Sequence, residues 1–127
     1  VEAVSSALKK RRIVMAKFMY LFRRHAGWKP ASPEEMQRTM KAWMGWIEDL
    51  KKEGHLVSTG DRLDGDGKVV RGKTKAVTDG PYAETKDTVG GYMVVEAKDM
   101  TQAVELSHGS PVFESEGSVE IRPIVSM

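Results

Sequence analysis

The sequence predicts an α+β fold of the ferredoxin-like kind, β-α-β-β-α-β with an extra hairpin, paired with a second copy into a dimeric α+β barrel. Three observations carry this. Strand-like segments around 16–24 and 90–97 are apolar on both faces, two capped amphipathic helices each follow a strand, and the elements alternate in the split βαβ order. Two helices cover only one face of one sheet, so strands apolar on both faces call for a partner sheet. At 127 residues the chain is expected to hold a single domain over 15–127.

Ala16 to Arg24 opens the domain with five consecutive apolar residues, Phe18 to Phe22, and aromatics at alternate positions, the pattern of a buried strand. Ser32, Pro33 and Glu35 then form a capping box with proline at the first helical position. Met36, Met40, Trp43, Met44, Ile47 and Leu50 follow at helical spacing as the apolar face, with Trp46 on its edge, to pack across an interface or onto the sheet, and Gly54 as the stop. His55 to Leu63 begins as a strand. The turn cluster Asp64-Gly65-Asp66-Gly67 leads into a hairpin through Lys68-Val69-Val70 and Lys75-Ala76-Val77-Thr78, and Asp79-Gly80-Pro81 makes a further turn. Gly90 to Ala97 reads as the second central strand. Asp99 caps a short helix with Gln102 at the box position and Met100, Ala103, Val104 and Leu106 on its buried side; Gly109 and Pro111 end it, and Ser118 to Val125 alternates as the last strand.

Composition excludes several chemistries. Without cysteine there is no thiol nucleophile, thiolate zinc site or iron–sulfur cluster, and a reducing, cytoplasmic setting is expected. No apolar run reaches the length of a membrane span. Residues 1–14 carry Lys9, Lys10, Arg11 and Arg12 against Glu2, net +3, whereas 15–127 hold 16 bases against 17 acids, net −1. The basic balance belongs to this tail, read as added or upstream sequence outside the fold, and nucleic-acid binding is not expected.

Two motif matches fail on mechanism. Gly67 to Thr74 fits the phosphate-loop pattern, but valines fill the loop and a strand-like segment follows where a helix is required. Asp61, Asp64 and Asp66 suggest a calcium loop, yet with Gly67 as its sixth residue Arg62 and Lys73 occupy ligand positions. His25, His55 and His108 lack metal-ligand spacing, and His108 suits a helix C-terminus, so neither metal nor cofactor is expected. His55 and Asp61 share strand parity and would form an acid–base pair on an unbroken strand; Gly60 is the position for a bulge.

The densest polar segment, Asp79 to Asp87 (DGPYAETKD), opens into a buried strand, where a loop at a barrel mouth meets ligands. Together with EDLKKEGHLVSTG, GGYMVVEA and SVEIRPI, it resembles the DGPF branch of the YciI-like (YCII-related) proteins over roughly Met15 to Val125, with Tyr82 in place of Phe. The resemblance implies a dimeric ferredoxin-like barrel. It also implies an acid–base pair, a His in the first helix and an Asp after the second. Counting from Gly54 and Pro111 puts Trp43 and Ser110 there, and neither transfers a proton, so the pair is not carried over. An accessory role beside extracytoplasmic-function sigma factors is a further implication.

The expected function is binding of a small polar or anionic metabolite. Arg23 would clamp the anion, Tyr82 and Glu84 would line the site, and His55, Asp61 and Asp79 are the candidate catalytic groups. The alternatives are a small isomerase or lyase working by acid–base chemistry and a regulatory interaction module with an apolar patch around Trp46.

Overall fold

The computed structural model describes residues 14–25, 28–29, 32–81 and 87–126 of the chain. Its elements run β1 (Ala16–His25), α1 (Pro33–Lys52), β2 (Leu56–Ser58), β3 (Gly67–Arg71), β4 (Ala76–Gly80), β5 (Asp87–Ala97), α2 (Met100–Ser107), a 3-10 turn (Pro111–Ser115) and β6 (Ser118–Pro123). The main sheet is antiparallel in the order β2-β5-β1-β6, and β3 and β4 form a separate two-stranded hairpin. This is the ferredoxin-like arrangement with the extra hairpin between the second and third main strands.

Strand alternation sets the core. Phe18, Tyr20 and Phe22 on β1 and Met93, Val95 and Ala97 on β5 turn their side chains to the helix side, where Trp46, Leu50, Ala103 and Val112 meet them. Each large side chain buried there contributes roughly 1.5–3 kcal/mol. Tyr20 stacks on Trp46 with ring centroids 6.1 Å apart and donates its phenolic hydrogen bond to the Ala103 carbonyl, joining sheet, α1 and α2.

The helix signals act as the sequence predicts. Ser32 Oγ accepts from the Glu35 amide at 3.1 Å, and acids in the first turn and lysines in the last complement the helix dipole. Gly54, at φ +78°, donates to the Lys51 carbonyl while His55 donates to that of Leu50, a Schellman closure. Asp99 caps α2 through the Gln102 amide at 2.8 Å. Gln102 Oε1 reaches back to the Lys98 amide rather than to that of Asp99.

Several expectations need correction. Trp46, on the edge of the apolar stripe, packs onto the sheet as part of the core, while Met36, Met40 and Met44 are 44, 54 and 68% exposed. Helical spacing fixes which residues share a face but not the angle at which the helix crosses the sheet. The buried residues of α1 lie in its C-terminal half, so its first turns stand off the sheet. Met100 and Val104 of α2 are likewise exposed. The strand begun at His55 is regular only from Leu56 to Ser58, because the register shifts there and Gly60 takes φ +61°. It continues irregularly along β5 through the Arg62–Gly91 bridge. Asp79 and Gly80 finish β4 instead of forming a turn, the segment after Pro111 is a 3-10 turn, and the last strand ends at Pro123. Gly67–Arg71 is a strand followed by a turn and another strand, with no helix opening where a phosphate loop requires one. Apart from Val14, the tail lies outside the described residues, and no described helix is long and apolar enough to cross a membrane.

One irregularity positions the site. Phe22 pairs with Gly91 but Arg23 pairs with Val89, so Gly90 is an extra residue on β5, a β-bulge that bends the strand beside the first turns of α1.

Candidate functional site

Where α1 stands off the sheet, a groove of about 320 Å³ opens between its first turns and the bulged ends of β1 and β5. Phe22, Trp28 and Trp43 give it an aromatic wall, and Met36, Met40 and Met44 form its lip. Phe22 and Trp43 meet edge to face at 4.9 Å, an arrangement that fixes both rings. A wider, more polar cleft of about 870 Å³ lies under the β3–β4 hairpin, and Arg24, Trp28, Arg62 and Gly90 line both spaces.

The charged groups of the groove come from two strands. Arg24 follows the inward parity of Phe18, Tyr20 and Phe22, and its guanidinium lies 4.7 Å from the Trp28 ring centroid. Arg62 is held opposite Gly91, with the Asp61 carbonyl accepting from Tyr92 and the Leu63 amide donating to Gly90 on either side. Burial, and secondarily the positive charge of Arg62, hold the Arg24 guanidinium below its ordinary pKa. Among the described residues neither arginine has a carboxylate partner. Asp61 also lines the groove, but its Oδ2 accepts the Tyr92 hydroxyl at 2.9 Å. That hydrogen bond, followed by the carboxylate charge and burial, raises the Tyr92 pKa.

The residues singled out in the sequence divide accordingly. Arg23 points to the other face of the sheet, where Nε bonds Glu120 at 2.9 Å, so its guanidinium is not the groove's anion clamp. His55 is held by the Glu96 carbonyl, 2.8 Å from Nδ1. Asp61 is placed opposite Tyr92, four residues and about 13 Å along β5, so the His55–Asp61 pair does not form. Asp79 is an exposed hairpin residue paired with Lys68. Tyr82 and Glu84 lie outside the described residues. Trp43 is an aromatic wall of the groove, and the buried Ser110 caps the 3-10 turn through the Val112 amide. The patch expected around Trp46 is replaced by the methionine row of α1. Sequence reasoning missed Arg24 and Arg62, although alternation from the three inward aromatics already marks position 24 as the inward member of the Arg23-Arg24 doublet.

Among the described residues no three acidic or histidine side chains come together to hold a metal. No curated protein sequence matches the chain. A family model, that of the YCII-related domain, matches residues 18–127. The match starts at the first core aromatic of β1 and takes in both helices, the main sheet but for Ala16 and Lys17, and both arginine-bearing segments of the groove, so the chain belongs to the YCII-related domain family.

Proposed function

We propose that the protein binds a small anionic metabolite in the groove beside α1, with Arg24 and Arg62 receiving the charge. The observation that carries this reading is the pair of guanidinium groups at the rim of an aromatic-walled groove, without a carboxylate partner among the described residues. Two neighbouring positive charges raise the free energy of an empty site, and an anion between them lowers it. The test is a thermal-shift screen against a metabolite library, since a ligand of the folded state raises the melting temperature by mass action. Arg24→Gln and Arg62→Gln should abolish the shift; hits that survive both substitutions would sink the reading.

In this reading the protein is a cytoplasmic homodimer. The sheet face away from the helices carries Met19, Leu21, Tyr92 and Val94, all half-buried and uncovered by any described element, as a face that packs on a second sheet would. Light scattering decides this, and a stable monomer would remove the barrel.

A second reading, acid–base catalysis by an isomerase or lyase, draws on the Asp61–Tyr92 hydrogen bond at the edge of the sheet beside the groove. It requires turnover that disappears in Asp61→Asn. An accessory role beside a sigma factor would use the exposed methionine row instead and needs no small ligand.

A further inference from the structure

We infer that the ligand is an amphipathic anion, a carboxylate on an apolar body, with its charge between Arg24 and Arg62 and its body along the methionine row of α1. This rests on the reading of the groove as an anion site and specifies its occupant. Among the described residues Arg24, Arg62 and Asp61 are the charged residues that line the groove, and the Asp61 carboxylate is taken by the Tyr92 hydroxyl, so the two guanidinium groups are what the groove offers a ligand's charge. A carboxylate matches a guanidinium fork with its two oxygens and leaves the rest of the ligand free to be apolar.

Away from the arginines the lining turns apolar, with Thr39, Thr59 and Ser115 its aliphatic hydroxyl groups. Met36, Met40 and Met44 repeat every four residues and so stand in line along one side of α1. Among the described residues nothing covers them, although burying apolar area is worth about 25 cal/mol per Å². Unbranched thioether side chains adapt to bodies of different shape. Charge at one end and an adaptable apolar lip along the rest is the complement of a head and a tail. The volume, about 320 Å³, is at the small end of ligand cavities and suits a short chain or a single ring.

The test is a titration followed by tryptophan fluorescence, since Trp28 and Trp43 both line the groove. The probes are straight-chain carboxylates from acetate to octanoate below micellar concentrations, with 1-octanol and inorganic phosphate beside them. Carboxylate affinity should rise about three- to four-fold per methylene until the groove is full. Octanol and phosphate should bind at least ten-fold more weakly than octanoate. Arg24→Gln should weaken octanoate about ten-fold or more and leave octanol unchanged, while Met40→Gln should flatten the chain-length series without moving acetate. Phosphate or acetate binding through the arginines with no chain-length dependence would overturn the inference and leave the anion site standing. Failure of every anion would overturn both. Octanol binding as tightly as octanoate, or self-association that Met40→Gln abolishes while octanoate does not bind, would assign the groove to an uncharged ligand or to a second copy and also overturn the inference.

Discussion

The Arg24 guanidinium lies across the bare Cα of Gly90: a Cβ built on that glycine would stand 3.0 Å from Nε and 3.2 Å from Nη2. The β-bulge thus makes the gap in which the proposed anion clamp rests. In Gly90→Ala the flexible end of Arg24 can yield, and alanine orders the unfolded chain less favourably for unfolding than glycine does. Stability should therefore change by less than about 1 kcal/mol, while anion affinity falls several-fold. A thermal melt beside a carboxylate titration checks both; unchanged affinity would show that Arg24 does not hold the charge from this position.

Gly60 should tolerate nothing larger. At φ +61° its Cβ would come 1.9 Å from the Tyr92 carbonyl oxygen, a backbone atom in the central strand. Left-handed strain and forced displacement of β5 add, so Gly60→Ala should cost about 3 kcal/mol or more. Denaturant unfolding measures this. The neighbouring Asp61 and Arg62 would shift with the strand, so anion affinity should fall as well.

Tyr20 gives the protein an alkaline limit. Burial pushes its phenol up to about 12, against about 10 in the unfolded chain. Between those values the folded state keeps a proton that the unfolded state has lost, so stability falls as pH rises. The contribution is complete below pH 10 and declines through the folded pKa by at most roughly 1.4 kcal/mol per pH unit. Tyr20→Phe should lose about 1 kcal/mol at neutral pH with the hydrogen bond to Ala103, and show a shallower decline above pH 10. Denaturation midpoints of both proteins across pH 8–12 give the comparison.

Ser110 stands where the family resemblance implies an acid, and its hydroxyl accepts from the Val112 amide at 3.2 Å. Ser110→Ala should therefore cost about 1 kcal/mol through loss of the cap and leave ligand affinity unchanged. A change in affinity at constant stability would return this residue to the site.

The local signals in the sequence specify local structure well. Ser32, Pro33 and Glu35 start α1, Gly54 stops it, and the alternating aromatics of β1 identify the core face, each through interactions within a few residues. What depends on the meeting of distant segments was harder to read. Nothing in the spacing of Met36, Met40 and Met44 tells that α1 leaves the sheet over its first turns, or that Trp46 fills the core in their stead. The irregular passage after Ser58 separates His55 from Asp61, and its cause, a shifted register on β5, appears only when both strands are placed. Arg24 was legible from alternation alone. Arg62 was not, because its position depends on that same shift.

The bulge at Gly90 uncouples the length of β5 from its alternation. Beyond it, Val89, Thr88 and Asp87 still face Arg23, Arg24 and His25 in turn, so removing the one extra residue would restore regular pairing without turning any of them over. The sheet would survive such a deletion and the space for the arginine would not. A single codon at this point therefore separates a folded protein with its groove from a folded protein without one.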